Sequence, residues 1–592
     1  MSPASDSVRA RAFTSPTLVL LAYDWPAGKD HADFLGFAIR RSPGHGKSGA
    51  PDYLWNKIGF SAPKKNDPPK PSDKNPIQRF LWWDSGIEAA DRGKTFTFTV
   101  VPVLGSGPAD LTLRHASETA IAVTIPHEVE NGIGSYFNRA VVSSQSFAGK
   151  FGRNPAGQKL RAAMDWLANG MQNAIPGFLG GAKDVEAAIY HLTDKRWVVP
   201  AFQKFEAGGG KGDLVYYRKA KDTASQAAAD LLKSPGFACH PRTKANIMHD
   251  KFVVRRKAGK PEAVLAGSAN FTPEAIASQA NVLHTFASPG LAALYAKRQE
   301  LLRGDPTLKS IAPSGKWSPS ISVGGAKVRV FFSPESGRTS IDAVAQAVRK
   351  AKSSVIFCLF SPTDGPLLDA LLAAGDQGKI MYGLLNSIAT PKATKKTEDP
   401  TKAAASATSA TQIQVTLYNR SRKDKKVLAY NYFRPGATPT GFLPEFSTID
   451  TSAWSTNAPP KTASDKKGGG APPAVHIHHK FLVIDADTDS PTIYTGSANM
   501  SNNSLHNNDE NLLEITKAPG LAGAYYAEFI RLYEHYRARA LWNIAHPSAP
   551  GKTAVGPKAP PPAFVLKTSR EAWAKKAYTP GTPEYLSRTR LA

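Results

Sequence analysis

From Thr17 to about Pro126 the apolar positions recur at every second residue in short runs interrupted by Pro, Gly and Lys: Phe34 to Ile39, Phe80 to Trp83 and Thr95 to Val100. Period-two alternation places successive side chains on opposite faces, so each run predicts a strand with one buried face. Several short strands at irregular spacing predict a small β-sandwich of fibronectin or immunoglobulin type over residues 1–127. No cluster of catalytic residue types falls in it, so it reads as an accessory or binding module. From about Glu128 the texture changes. Leu160 to Met171, Ala182 to Tyr190 and Thr223 to Lys233 read as helices, and Leu214 to Tyr217 as a strand. Such alternation predicts an α/β unit, a sheet covered by helices, over 128–318. The pattern then recurs. Phe331 to Pro334 leads to a helix with Ile341, Val344, Ala345 and Val348 on one face, followed by a strand over Val355 to Phe360. This predicts a second α/β unit over 319–545, in which the Ala/Thr/Lys/Ser stretch 389–409 and the Lys/Gly/Pro stretch 459–473 are low-complexity insertions. Residues 546–592 read as a Pro/Lys-rich tail that wraps loosely.

Composition bounds the picture. At 592 residues the chain exceeds what one hydrophobic core supports, and 41% hydrophobic content excludes a disordered protein. Cys239 and Cys358 are the two cysteines, too few for a disulfide framework or a cysteine zinc site. The strand-like surroundings of Cys358 make it core filler. No run approaches the ~20 apolar residues of a membrane span, and Met1 to Arg11 lacks a signal-peptide core, so a soluble, cytoplasmic chain is expected, with export by another route left open. The formal charge of +26 favours polyanionic partners, nucleic acid or an anionic membrane surface, although many lysines, such as Lys64-Lys65 and Lys395-Lys396, stand in loop-like segments.

Two distant segments match. His249-Asp250-Lys251-Phe252-Val253-Val254 precedes Gly267-Ser268-Ala269-Asn270, and His478-His479-Lys480-Phe481-Leu482-Val483 precedes Gly496-Ser497-Ala498-Asn499, with 18 residues from His to Gly in both. Pro289-Gly290-Leu291-Ala292 and Pro519-Gly520-Leu521-Ala522 follow, 22 and 23 residues after the glycines. An internal repeat agreeing at polar and apolar positions implies two copies of one unit. In a strand, residues i and i+2 share a face, so each copy projects a histidine and a lysine together: a nucleophile beside a phosphate anchor. Ser268 and Asn270, like Ser497 and Asn499, would give hydrogen bonds to phosphate oxygens. Two such units facing each other can divide the labour, one histidine attacking phosphorus and the other protonating the leaving oxygen.

His-x-Lys-x4-Asp with a downstream Gly-Ser-x-Asn resembles the signature of the phospholipase D superfamily, over roughly Glu128 to Ala540. The second copy is complete, with Asp485 in place and Glu510 at the acidic position that follows. The first copy departs: Arg256 replaces the aspartate, and Gln279-Ala280-Asn281 stands where the acidic residue would be. Asp485 lies seven residues from His478 and so faces away from it, which predicts a structural role and leaves the Arg256 copy competent. The resemblance implies two pseudo-symmetric phospholipase D-like α/β units, a covalent phosphohistidine, transfer to water or an alcohol, and no metal or cofactor. It makes His249 the nucleophile and His478 the general acid, with Lys251, Lys480, Asn270, Asn499, Ser268 and Ser497 on the phosphate and Asp485, Glu510 and Gln279 in support. A contact from Glu510 to His478 would favour that imidazolium. Although His476, His478 and His479 cluster, no acidic or Cys partner stands at ligand spacing. Phospholipid headgroup hydrolysis or transphosphatidylation is favoured because both motifs share one chain, which also implies a monomer. A metal-independent nuclease, suggested by the charge, and a non-enzymatic binding protein remain the alternatives.

Overall fold

A computed structural model of the chain describes residues 6–46, 48–64, 67–153, 155–386, 416–419, 426–429, 432–433, 438–446, 448–456, 475–545 and 564–592. It is a mixed α/β protein with several sheets. The insertions expected at 389–409 and 459–473 lie outside the described residues.

Near the N-terminus the hairpin Arg9–Ser15 with Leu18–Asp24 pairs onto Leu81–Asp84, and a second antiparallel sheet joins Thr119–Thr124, Thr95–Leu104, Phe34–Ser42 and Asp52–Tyr53. Val19, Leu21 and Tyr23 pack with Phe37, Ile39 and Phe98 in a core shared by the two sheets. The alternate residues Leu18, Leu20 and Ala22 are buried instead in the main α/β core. Burial on both faces is why Leu18 to Tyr23 is apolar without alternation.

Two larger sheets follow. The first orders its strands Ile133–Phe137, Val282–Phe286, Lys260–Gly267, Lys251–Lys257, Asp184–Ile189, Lys211–Tyr217 and Phe237–Arg242. The second orders Ala326–Ser333, Asn508–Thr516, Thr492–Gly496, Lys480–Ile484, Ser354–Leu359, Ile380–Leu385 and Thr416–Asn419. Neighbour by neighbour the first four pairings are antiparallel and the fifth parallel in both. The sixth differs, parallel in the first sheet and antiparallel in the second.

The sheets exchange contacts where the motifs lie. Ile247–Met248 pairs in parallel with Asn508 and Asp509 of the second sheet, while Ile477 bridges to Ala280 of the first. Helices Pro289–Arg303 and Pro519–Ala545 fill the space between: Tyr295 of one donates to Asn511 Oδ1 across the divide at 3.3 Å, and Tyr525 of the other meets His284 at 2.7 Å.

Three expectations require correction. Asp184–Ile189, within the run read as a helix, is a strand, because its place between Lys251–Lys257 and Lys211–Tyr217 buries it on both faces and overrides the helical preference of Glu and Ala. Met171–Leu179 is a second helix beyond Gly157–Ala168, separated from it by left-handed Asn169 and Gly170. Residues 564–592 are no loose tail: Arg570–Tyr578 and Pro583–Leu591 are helices capped by Ser569 and Thr582. Trp573 stacks on Phe80, and Arg588 is bonded to the buried Asp24, so this end closes over the N-terminal sheets.

Candidate active site

Each motif begins just before its strand. His249 and His478 are buried, and the strands open at Lys251 and Lys480. The lysines fold back alike: Lys251 Nζ donates to His249 O at 2.6 Å and Lys480 Nζ to His478 O at 2.7 Å. Each ammonium lies over an aromatic ring at the end of the neighbouring strand, Lys251 over Tyr190 at 5.1 Å and Lys480 over Phe360 at 5.2 Å. The same two rings lie 5.1 Å from the rings of His249 and His478 respectively. These aromatics wall each histidine and contribute cation–π attraction to the lysines. They escaped the sequence reading because their distances from the motifs are unequal, 59 residues from Tyr190 to His249 and 118 from Phe360 to His478.

The main chain holds each histidine against the other sheet. His249 N donates to Asp509 O at 2.8 Å, and His478 N to Ala280 O at 3.0 Å. The next residue in each partner strand supplies the ring's companion. Glu510 Oε2 is 2.9 Å from His249 Nδ1, and Asn281 Oδ1 is 2.9 Å from His478 Nδ1. The contact considered from Glu510 to His478 is thus corrected: Glu510, on a strand of the second sheet, meets His249 instead. Gln279 is corrected as well, since it contributes its backbone carbonyl, and Asn281 occupies the acidic residue's place. The signal was present: Asn281 stands 14 residues after Gly267, as Glu510 does after Gly496.

Ser268 and Ser497, read as phosphate donors, are turned elsewhere. Ser268 donates to Asn281 Oδ1 at 2.9 Å and accepts from Val282 N at 3.1 Å, while Ser497 donates to Glu510 Oε2 at 3.3 Å and accepts from Asn511 N at 3.0 Å. Each hydroxyl therefore steadies the group that steadies the opposite unit's histidine. Asn270 and Asn499 are partly exposed, and each has a buried Oδ1 without a hydrogen bond. Asp485 accepts from the backbone N–H groups of Lys352, Ser353 and Ser354 at 2.7–3.2 Å, a turn-capping position facing away from the histidine. Arg256 instead pairs with Glu186 at 2.8 Å.

Burial pushes His249 down to about 4, helped by Lys251 and opposed by Glu510. His478 lies well below its ordinary value through burial, then Lys480 and Lys251. Burial also lowers Lys251 to about 7 and carries Lys480 well down. For Glu510 burial works upward, but His249 and Asn508 outweigh it and leave the carboxyl below its usual range. With two lysines and two histidines around one carboxylate, the pocket is poised for an anion, whose charge would restore the protons that burial strips away. Among the described residues no group of three or more His, Cys, Asp or Glu side chains could hold a metal ion, and no helix is long and apolar enough to cross a membrane.

Beyond Tyr190 a cleft of about 400 Å³ opens, lined by His191, Thr193, Thr272, Thr451, Ser452 and Ser455. Its far wall comes from the second unit, where Trp454 O accepts from Lys195 N at 2.9 Å and Thr456 N donates to Thr193 O at 2.8 Å.

Residues 451–533, which contain the second motif, match the family model described as "Cardiolipin synthase, PLD-like domain". No curated protein matches the chain. Among solved structures, Nuc from Salmonella typhimurium, a phospholipase D family member, is similar over 23% of this chain and 86% of its own at 20% identity, with a TM-score of 0.21. Phosphatidylserine synthase of Haemophilus influenzae is similar over 62% and 85% of the two chains at 10% identity, TM-score 0.37. Polyphosphate kinase of Porphyromonas gingivalis covers 82% of this chain and 71% of its own at 9% identity, TM-score 0.34.

Proposed function

We propose that the chain is a phosphodiesterase of the phospholipase D type working through a phosphohistidine, its two α/β sheets acting as copies of one unit that share a single site, a reading supported by the match of residues 451–533 to a PLD-like domain. One observation carries the reading: each buried histidine has its Nδ1 engaged by an oxygen from the other unit, which directs its Nε2 to the opposite side of the ring, with a lysine at each flank. His249 Nε2 attacks phosphorus, and His478 gives a proton to the departing oxygen. Lys251 and Lys480 neutralise the phosphoryl oxygens, with Asn270 and Asn499 as further donors. Water, or an alcohol in a transfer reaction, then attacks the phosphohistidine with His478 as base.

The substrate read first is a phospholipid, cleaved at its headgroup, because both motifs lie in one chain and serve one site as a monomer. Nucleic acid is the second reading, favoured by the charge of +26 and by Arg161, Lys195 and Arg196 around Trp197 and Trp454 at a neighbouring cleft. Cations interleaved with aromatics suit stacked bases along a phosphate backbone. Phosphatidylcholine and cardiolipin vesicles, each with and without ethanol, are incubated in parallel with labelled single- and double-stranded DNA in excess chelator. Free headgroup or phosphatidylethanol supports the lipid reading, and strand cleavage without lipid turnover supports the nuclease. Activity lost to chelator and restored by zinc or magnesium would overturn the mechanism.

A further inference from the structure

The two histidines are placed alike and partnered unlike. His249 faces a carboxylate, and His478 faces the amide of Asn281. The amide's orientation is set from several sides. Its Nδ2 donates to Ala275 O at 3.0 Å and to Gln279 O at 3.2 Å, while Ser268 donates to its Oδ1 at 2.9 Å. Turning the amide over would place its oxygen against two carbonyl oxygens, losing both of those bonds, whereas the serine hydroxyl can bond to either end. Oxygen therefore faces His478, and His478 Nδ1 must be the donor. In its neutral state that ring carries its one proton on Nδ1 and a bare Nε2 toward the phosphate.

We propose that the inequality between Glu510 and Asn281 assigns the two histidines their separate roles, Asn281 acting as the positioning residue that confines His478 to proton transfer. The proposal rests on the phosphohistidine reading above. In the first step the Nε2 lone pair of His249 forms the N–P bond. The P–O bond to the leaving group breaks with its electron pair on oxygen, and the Nε2 proton of cationic His478 moves to that oxygen. The phosphorylated His249 ring keeps its Nδ1 proton and is cationic, with the Glu510 carboxylate 2.9 Å away as counter-charge. The same event at His478 would leave a cation facing a neutral oxygen. The charged groups with the largest effect on His478 are Lys480, Lys251, His249 and His479, none of them an anion. Attack by His478 is thus disfavoured, but proton donation is favoured, because an imidazolium without a counter-charge is a strong acid. In the second step water attacks phosphorus, its proton goes to His478 Nε2, and the N–P electron pair returns to His249. A diester and water have become a monoester and an alcohol, and both rings are as they began.

The test maps the phosphorylated residue. Protein is mixed with bis(4-nitrophenyl) phosphate, whose leaving group needs little protonation, quenched at neutral pH, and digested for mass spectrometry. The wild-type label is expected on His249. In the exchanged variant, Glu510→Gln with Asn281→Asp, it is expected on His478. A label remaining on His249 after the exchange would overturn the inference and leave the phosphohistidine mechanism standing, whereas no label on either histidine of the wild type would overturn both. If the exchanged protein fails to fold, Asn281→Asp alone decides by its pH profile. A carboxylate beside His478 should move the alkaline limb of kcat upward by about one to three pH units. A limb that stays in place would sink the proposal, since loss of packing alone lowers the rate without moving the limb.

Discussion

Behind His249 the structure is ionic; behind His478 it is aromatic. Asp250, next to His249, meets Arg298 at 3.1 Å, Arg298 meets Asp509 at 3.4 Å, and Asp509 meets Arg242 at 2.8 Å, all buried. The matching neighbour of His478 is His479, which packs against Phe481 and Phe137 and has an Nδ1 without a partner. Arg298, ten residues into the helix that begins at Pro289, has Glu528 as its match in the helix that begins at Pro519, and Glu528 turns away to Ser15, Thr17 and Arg531. Matched strands thus carry dissimilar interiors. Backbone topology gives the two imidazoles matched places, while the side chains behind them differ.

The largest test of that division is deletion of each ring. His249→Ala should abolish turnover and phosphohistidine formation on every substrate, because it removes the proposed nucleophile. His478→Ala should lower kcat by roughly 10²–10⁴-fold on an alkyl diester, the range for a general acid, yet still form phosphohistidine from a 4-nitrophenyl ester. Single-turnover kinetics on the two substrates measures both effects, and equal losses on both substrates by both variants would erase the distinction.

Acid should expose the same inequality in stability. A buried histidine with a depressed value stabilises the fold fully above its unfolded value near 6.5, and the contribution is lost as pH falls through the folded value. For His249 that window runs from about 6.5 down to about 4, on the order of 3 kcal/mol. His478 has the same sign and a deeper lower edge, since no carboxylate opposes its burial. Thermal denaturation between pH 7 and pH 4 should therefore show a falling Tm, and His478→Asn should flatten the slope more than His249→Asn. Phosphate or vanadate, which supplies the missing negative charge, should raise Tm most at the acid end.

Much of this is legible in the sequence. The repeat singles out His249, His478, Lys251 and Lys480, because motif spacing within a strand–loop–strand segment is local. The run from Ala182 reads as helix because Ala and Glu carry a helical signal, while the burial that makes Asp184–Ile189 a strand is supplied by chain far away. Pairing between units was the harder part. That Glu510 serves His249 depends on strands Ile247–Met248 and Asn508–Thr516 lying side by side, which no local pattern encodes. Asn281 was readable by counting from Gly267, but an amide carries no charge to draw attention to it.

The smallest contrast lies at the seventh residue of each motif. Asp485 accepts from three successive backbone N–H groups, at Lys352, Ser353 and Ser354, from a left-handed position (φ 56°) that Asp tolerates. Exchange for an amide keeps one oxygen for those donors but removes the charge, so Asp485→Asn should cost about 1–2 kcal/mol, a charged acceptor being worth more than a neutral one. Arg256 holds a partly exposed pair with Glu186, and solvent screening limits Arg256→Ala to less than about 1 kcal/mol. Urea denaturation of the two variants measures the difference, and kcat per folded molecule should stay near wild type in both, since neither side chain reaches a histidine. A loss of kcat in Asp485→Asn at unchanged stability would place that residue in the chemistry and undo the parallel.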